Sequence, residues 1–546
     1  MAAKPVAPRT TNKTRLERLA ERLAGRRVVR LGLAAFSGVG LALAFAPYDL
    51  LPALAAYSAL LVLLEAGDAR VRRRSLERFL TGFAFGFGFH LMGLWWIGAA
   101  FLVDADAYAW LMPLAVVGLP LLLAPFSGIA AMCVGLAPRG MAWRAVALAL
   151  GVAGTELARG LVLTGFPWNA AGMGLTQSIL LAQSASAVGV NGLAIPAVLI
   201  GALPVVLAER ESRWLAVPTG LMLAAMATYG GYRLWTAPEI AADAPLIRIV
   251  QPAVPQDEKW APEHQAEIWQ RLLELTAEPG PAPAAGEEAL PRPSVVIWPE
   301  TAIPFQWRAP SAPQAALAGA LGPETQLITG AVELAATADG RTVGYNALFV
   351  MSPEGRLVGR YDKAHLVPFG EYLPFSALMA RLGLSGLAAN GGEFVAGDGP
   401  VTLQVAGLPP FQPLICYEVI FPHGAGEPPA RWIVNLTNDS WFGNTPGPRQ
   451  HLRHAQLRAI ERGLPVVRAA NTGISAVIDA QGRIAGSLRL KAIGTLTERL
   501  PPPQPSHYSG LSDLLLFVIL FLGGVSLGVV RVITVARRRP QDADGT

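Results

Sequence analysis

Glu300, Lys363 and Cys416 stand in three separate segments, WPETAIPF, YDKAHLVPFGEYLP and PLICYEVIFP. A thiol, a carboxylate and an ammonium brought together make an acyl-transfer site. The thiolate attacks, the carboxylate moves the proton, and the ammonium holds the developing oxyanion. Each residue also has an ordinary reading: a surface carboxylate, a solvated loop lysine, a buried core thiol. The flanks argue otherwise. Glu300 lies between Trp298-Pro299 and an apolar turn, which suits a desolvated carboxylate. Lys363 is framed by Tyr361-Asp362 and an aromatic, Gly/Pro-punctuated stretch. Cys416 closes a β-like run beside a Tyr-Glu pair. The second cysteine, Cys133, lies in the apolar run SGIAAMCVGLA and reads as a small buried hydrophobe. Two cysteines cannot build a disulfide framework, and no Cys/His pairs have zinc spacing. His451 and His454 are three apart on one helix with no second pair to complete a metal site, so no metal is expected.

The elements that must position these residues divide into two kinds. The chain of 546 residues is 52% hydrophobic and 15% charged, against roughly 25% charged for an ordinary soluble domain. Mean hydropathy is +0.39. The apolar content is concentrated in residues 28–235 and 509–533, while roughly 242–500 is rich in Pro, Gly and charge. Eight runs approach the length of a spanning helix: 28–47, 51–65, 79–103, 109–136, 145–163, 179–207, 214–235 and 511–532. Ala44-Phe45-Ala46 imitates a signal-peptide cleavage site, but the long basic tail and long apolar run favour an uncleaved anchor.

Arginine-rich segments (RLERLAERLAGRRVVR, ARVRRRSLER, PRGMAWR, ERESRW, RVITVARRRP) all fall on one side if every run spans. The expected organisation is a basic cytoplasmic tail (1–27), a seven-helix membrane domain (28–235), a periplasmic domain (245–500), a last membrane helix (510–533) and a cytoplasmic tail (534–546). The pI of about 9.3 then reflects topology, and no nucleic-acid partner is expected. Glu156 and Arg159, charged inside the fifth run, could pair on one helix face or meet a lipid headgroup. Trp95, Trp96 and Trp168 read as an interfacial aromatic belt or as the wall of an acyl-chain portal. GFAFGFG lacks the dinucleotide-binding context and reads as helix packing through Gly82 and Gly86.

The hydrophilic domain alternates apolar runs with helical ones. Strands are expected at 246–253, 294–300, 325–334, 346–352, 411–418 and 432–438, with a hairpin at 474–486. Helices are expected at 261–277, 311–321 and 446–463, and 278–293 reads as a surface excursion. Such an order suggests an α/β layered fold, in which reactive residues sit at the carboxyl ends of strands.

These segments resemble the nitrilase superfamily over roughly 245–500, and the whole chain resembles its membrane-embedded branch, the apolipoprotein N-acyltransferases. The motifs that carry the resemblance are VQPAVPQDEKW, IWPETAIPF, GYNALFV, YDKAHLVPFGEYLPF, ICYEVIFP, NLTNDSWFG, RAANTGISAVID and, in the membrane half, TELARGLVLTGFPWN. The resemblance implies an αββα sandwich on an all-α membrane domain of about eight helices in a bacterial inner membrane. It implies a Glu300-Lys363-Cys416 triad, with Glu371 holding the lysine charged, Glu418 orienting the nucleophile, and Trp260, Asn346, Tyr417 and Trp441 linked to the site or its lid. The implied reaction moves an acyl chain from a phospholipid through a Cys416 thioester to the N-terminal diacylglyceryl-cysteine of a lipoprotein. No cofactor is implied. A membrane-bound amidase is the alternative, a transporter with a regulatory domain a more distant one. Lid loops are expected near 365–395 and 441–450 with hinges at Gly391-Gly392 and Gly443, and a monomer is the default state.

Overall fold

The computed structural model describes residues 22–23, 25–68, 74–279, 291–336, 340, 342–374, 381, 394–422 and 429–536. The membrane half contains α1 (Arg27–Ala42), α2 (Ala56–Asp68), α3 (Arg74–Leu94), α4 (Met112–Cys133), α5 (Met141–Arg159), α6 (Ala185–Ala208) and α7 (Ala216–Trp235). Small residues let these helices approach. A Cβ on Gly82 or Gly86 of α3 would lie about 2.5 Å from Ser127 or Ala131 of α4, so both glycines are packing positions, as the sequence suggests.

Among the described residues, six helical segments are long and apolar enough to cross a membrane: Leu51–Asp68, Arg74–Leu102, Ala105–Leu136, Met141–Arg159, Ala185–Ala208 and Ser512–Arg531. The expected count of eight is therefore not reached. The first run is helical over only 16 residues. The run at α7 carries Arg233, Tyr229 and Tyr232 among its 20 residues, which lowers its apolarity.

The hydrophilic half is built on β1 (Leu246–Gln251), β2 (Val295–Ile297), β3 (Gln326–Ala336), β4 (Thr342–Met351), β5 (Leu357–Asp362), β6 (Phe411–Ile415), β7 (Trp432–Thr437), β8 (Val466–Ala470), β9 (Ser475–Ile478), β10 (Ile484–Leu488) and β11 (Gly494–Arg499). Among the described residues they form a six-stranded sheet, β11-β1-β2-β3-β4-β5, and a five-stranded sheet, β10-β9-β8-β7-β6. β1-β2-β3 run parallel, as do β6-β7-β8. Parallel strands covered on both faces read as nearly continuous apolar runs, and β1, β2, β6, β7 and β8 are buried at every position.

The sheets face each other across one core in which Ile247, Ile297 and Leu348 meet Phe411, Trp432 and Val467. α8 (Gln265–Ala277) and α9 (Ala312–Leu321) cover the outer face of the larger sheet through Leu272 and Leu317. α10 (Gly447–Arg462) covers the smaller one. The αββα sandwich expected from the sequence is thus present. β5, β8 and β11 were not among the expected strands. The excursion expected at 278–293 lies mostly outside the described residues.

α10 is also the bearing between the two halves. Gln450 donates to the carbonyls of Ala46 and Gly93 at 3.1 and 3.2 Å, and its Oε1 accepts from Trp96 and Trp168 at 2.9 and 2.8 Å. Arg453 reaches Asp49 at 2.9 Å and the Thr176 carbonyl at 3.0 Å. Trp96 and Trp168 are therefore fully buried fasteners, neither aromatic belt nor portal wall. α11 (Gly510–Ala536) follows the domain and packs on α5 and α6.

Candidate active site

The carboxyl ends of the strands of both sheets meet at one place. Cys416 follows β6 directly, with φ +51°. A β-carbon-bearing residue there is strained, a state that persists where surroundings over-determine it. Here the Glu418 carboxylate does so. Its Oε2 accepts from the Ile415 amide at 2.7 Å, and its Oε1 accepts from Tyr361 at 2.8 Å and from the amides of Ala364 and His365 at 2.9 and 3.0 Å. One buried carboxylate thus ties the cysteine turn to the lysine segment. Burial pushes the Glu418 carboxyl above its ordinary range, and the bonds from Ile415 and His365 oppose that rise.

Glu300 lies just past β2, Asn346 lies within β4, and Lys363 follows β5. The Asn346 amide donates to Glu300 Oε1 and Glu371 Oε1, both at 2.8 Å. Lys363 Nζ stands 2.8 Å from Glu371 Oε1 and 3.7 Å from Glu300 Oε1. Burial alone would lower the Lys363 ammonium, but Glu371, Glu300 and Cys416 outweigh it and hold it well above the usual lysine range. Burial raises the Cys416 thiol strongly and Glu300 adds to this, while Lys363 and a hydrogen bond with Thr437 oppose it. Free thiolate is therefore scarce near neutral pH, and attack requires a base to take the proton as the bond forms.

Sequence reasoning missed a buried layer beneath the cysteine. His451 Nδ1 lies 2.8 Å from Asp439 Oδ1, and its Nε2 lies 3.2 Å from the Cys416 carbonyl. Arg468 bridges Asp439 at 2.7 Å and Asn435 at 2.6 Å. Burial would raise the Asp439 carboxyl, yet Arg468 and His451 hold it down at about 2. The only signal in the sequence was polar residues inside apolar runs: Arg468 in VVRAA and Asn435 in WIVNLT. Among the described residues no group of acidic, His and Cys side chains could hold a metal ion.

The site rests on the membrane half. Tyr417 donates to the Gly165 carbonyl at 3.1 Å. The Gly165 loop is held in turn by Arg159, which donates to the carbonyls of Phe166 and Trp168 and pairs with Glu156.

Two family profiles match parts of the chain: "Carbon-nitrogen hydrolase" at residues 246–504 and "Apolipoprotein N-acyltransferase N-terminal domain" at 37–203. A protein of Rhodopseudomonas palustris named apolipoprotein N-acyltransferase is 40% identical over 523 residues, 94% of this chain and 96% of its own. One of the same name from Brucella melitensis is 41% identical over 530 residues, 93% and 98% respectively. The chain belongs to the apolipoprotein N-acyltransferase family. One from Agrobacterium fabrum is 38% identical over 95% of this chain and all of its own.

Within this family member, the structure brings Glu300, Asn346, Lys363, Glu371, Cys416, Tyr417 and Glu418 together. Trp260 is half-exposed and lies beside Lys259, whose Nζ is 5.9 Å from the Trp260 ring centre. Trp441 is half-buried in the short turn Asp439–Phe442. Phe442 of that turn packs on Trp96 and Trp168 at 4.6 and 6.0 Å between ring centres. The segment 441–450 expected as a lid is thus docked on the membrane half. Most of the other expected lid, 375–380 and 382–393, lies outside the described residues, and so do Gly391 and Gly392.

Proposed function

We propose that this chain N-acylates lipoproteins through a thioester on Cys416. The carrying observation is the buried ammonium of Lys363, held between Glu371 and Glu300 beside a strained thiol. Glu300 takes the Cys416 proton as sulfur attacks the ester carbonyl of a membrane phospholipid, phosphatidylethanolamine at sn-1 by family resemblance. The C–S bond forms, the C–O bond breaks, and Glu300 returns the proton to the departing lysophospholipid alkoxide. Lys363 neutralises the tetrahedral oxyanion. The free α-amine of a diacylglyceryl-cysteine then attacks the thioester. The C–N bond forms, the C–S bond breaks, and the amine's proton passes through Glu300 to the thiolate. Glu371 keeps Lys363 charged, Asn346 aligns both carboxylates, and Glu418 and Tyr417 fix the cysteine turn. Trp260 and Trp441 stand on the approach to the site. No cofactor takes part.

We place the catalytic domain in the periplasm, both termini in the cytoplasm, and the chain in the bacterial inner membrane as a monomer. The eight-span reading puts seven spans before the domain, an odd number, so the domain lies opposite the N-terminal tail. In that reading the tail and the basic loops share one side, which their Arg content makes cytoplasmic. The amidase alternative is not favoured, since relatedness runs through the membrane half as well.

Incubation of the protein with phospholipid and a synthetic S-diacylglyceryl-cysteine peptide tests the reading. A hydroxylamine-stable gain of one acyl mass at the peptide's α-amine is expected. Free fatty acid with no acylated peptide would return the chain to a hydrolase.

A further inference from the structure

A second lysine reaches the site from a different element. Lys259 is buried, and its Nζ donates to the Glu300 carbonyl at 3.1 Å and to the Thr301 hydroxyl. It thus holds the acid's own carbonyl and the side chain of the residue that follows it. That turn needs holding. Thr301 has φ +49°, in the left-handed region that a branched side chain rarely adopts. The turn also presses on β3, where a Cβ at Gly330 would lie 2.3 Å from the Thr301 nitrogen and 2.6 Å from the Glu300 α-carbon. The absent side chain at Gly330 makes room for the turn, and Lys259 anchors it from the other side.

Charge gives a second, independent reason. Lys363 is one positive charge set between two negative ones, Glu300 and Glu371, and Glu300 opposes ionisation of Cys416; Asp439 opposes it too but is paired with Arg468. With Lys363, Glu300 and Glu371 alone, sulfur would ionise in a pocket already carrying net negative charge. The groups facing Lys259 include the Glu300 carboxylate and the Cys416 thiol, both of which favour its charged form. Its own turn contributes only exposed Asp257 and Glu258. With Lys259 counted, the four ionised groups sum to zero, and a thiolate can form without building up like charge.

We infer that Lys259 is a positioning residue for thioester formation: it fixes the Glu300–Thr301 turn and supplies the second positive charge that balances the two carboxylates beside Lys363. The inference rests on the acyl-transfer reading of the same site. Burial lowers the Lys259 ammonium from the ordinary lysine range to about 8, against the pull of Glu300 and Cys416. The ammonium is therefore present below pH 8 and lost above it. Its contribution to thiol reactivity must fade in the same direction.

The test compares wild type with Lys259→Met from pH 6 to 10. One readout is alkylation of Cys416 by iodoacetamide, located by peptide mass so that Cys133 does not contribute. The other is acyl-enzyme formation from phospholipid micelles. Below pH 8 the substitution should slow both by ~10- to 100-fold, and the ratio should shrink toward one above pH 9. Lys259→Arg should recover part of the rate at pH 7 and carry the dependence to higher pH. A folded Lys259→Met protein with wild-type rates at pH 7 would overturn the inference, and so would a deficit that is the same at every pH. If the Met variant does not fold, Lys259→Arg decides: its alkylation profile must keep the low-pH reactivity to higher pH than wild type does, and identical profiles reject the proposal. Alkylation needs no lipid. A Lys259-dependent alkylation without any acyl-enzyme would count against the acyl-transfer reading and reduce the role of Lys259 to support of Cys416 reactivity.

Discussion

Two of the buried charge clusters, one in each half of the molecule, are used differently. In the membrane half, Arg159 pairs with Glu156 and spends its Nη1 on the carbonyls of Phe166 and Trp168. In the catalytic half, Lys363 has Glu371 at 2.8 Å and Glu300 at 3.7 Å and faces a thiol. The first arrangement satisfies a cation with backbone oxygens and thereby fixes a loop. The second surrounds a cation with carboxylates and a reactive sulfur. The two are joined in space, since the loop that Arg159 fixes carries the Gly165 carbonyl that receives Tyr417. One charge pair serves as a fastener and the other as a reagent, and the fastener sets the floor on which the reagent stands.

The comparison breaks first at the reagent. Lys363→Met and Glu300→Gln should each lower the rate of acyl-enzyme formation by ~10²- to 10⁴-fold while leaving the unfolding temperature within a few degrees. A variant that unfolds but, when folded, reacts at the wild-type rate would make these residues fasteners too.

The fastener should behave in the opposite way. Arg159→Leu alone leaves a partly buried carboxylate unpaired and strips the carbonyls of Phe166 and Trp168 of their donor, and should cost ~2–4 kcal/mol, read as a fall in thermal stability. The double replacement of Glu156 and Arg159 by Leu should recover most of that loss. Phospholipid binding by the double variant should stay unchanged, and a clear weakening would give the pair a headgroup role. Next in size, Gln450→Ala strips a partner from the indoles of Trp96 and Trp168 and should destabilise by ~1–3 kcal/mol.

The smallest effect sharpens the comparison through pH. Asp439 is held at about 2, below the ordinary aspartate value. The stability it provides is complete above about pH 4 and is lost only as pH falls toward 2. Unfolding temperatures measured between pH 4 and 7 should therefore be indifferent to Asp439, and a loss beginning near pH 6 would assign the proton to another group.

Much of the site was legible in the sequence because its residues carry chemistry into conspicuous flanks: Glu300 after Trp298-Pro299, Cys416 at the end of an apolar strand, Glu371 eight residues past Lys363. What stayed hidden depends on three-dimensional convergence. Lys259 was passed over for its neighbour Trp260, because an aromatic stands out in a polar turn and a lysine does not. Arg468, Asp439 and His451 look like strand and helix residues until the sheets close over them. β5 and β11 escaped because edge strands with exposed or half-exposed positions, as in LVGRYD and GTLTER, give weak alternation. Trp96 and Trp168 were misread for a related reason. Indoles near span ends suit a belt, and only the fold reveals Gln450 as their acceptor. The span count falls short of eight, among the described residues, where runs are short or carry tyrosine and arginine.

Intact-mass analysis of the purified protein incubated with phospholipid, beside Cys416→Ala, tests the central claim most directly. The account predicts a hydroxylamine-sensitive gain of one fatty-acyl mass that requires Cys416. A folded protein supplied with lipid that gains no acyl mass would contradict the thioester mechanism.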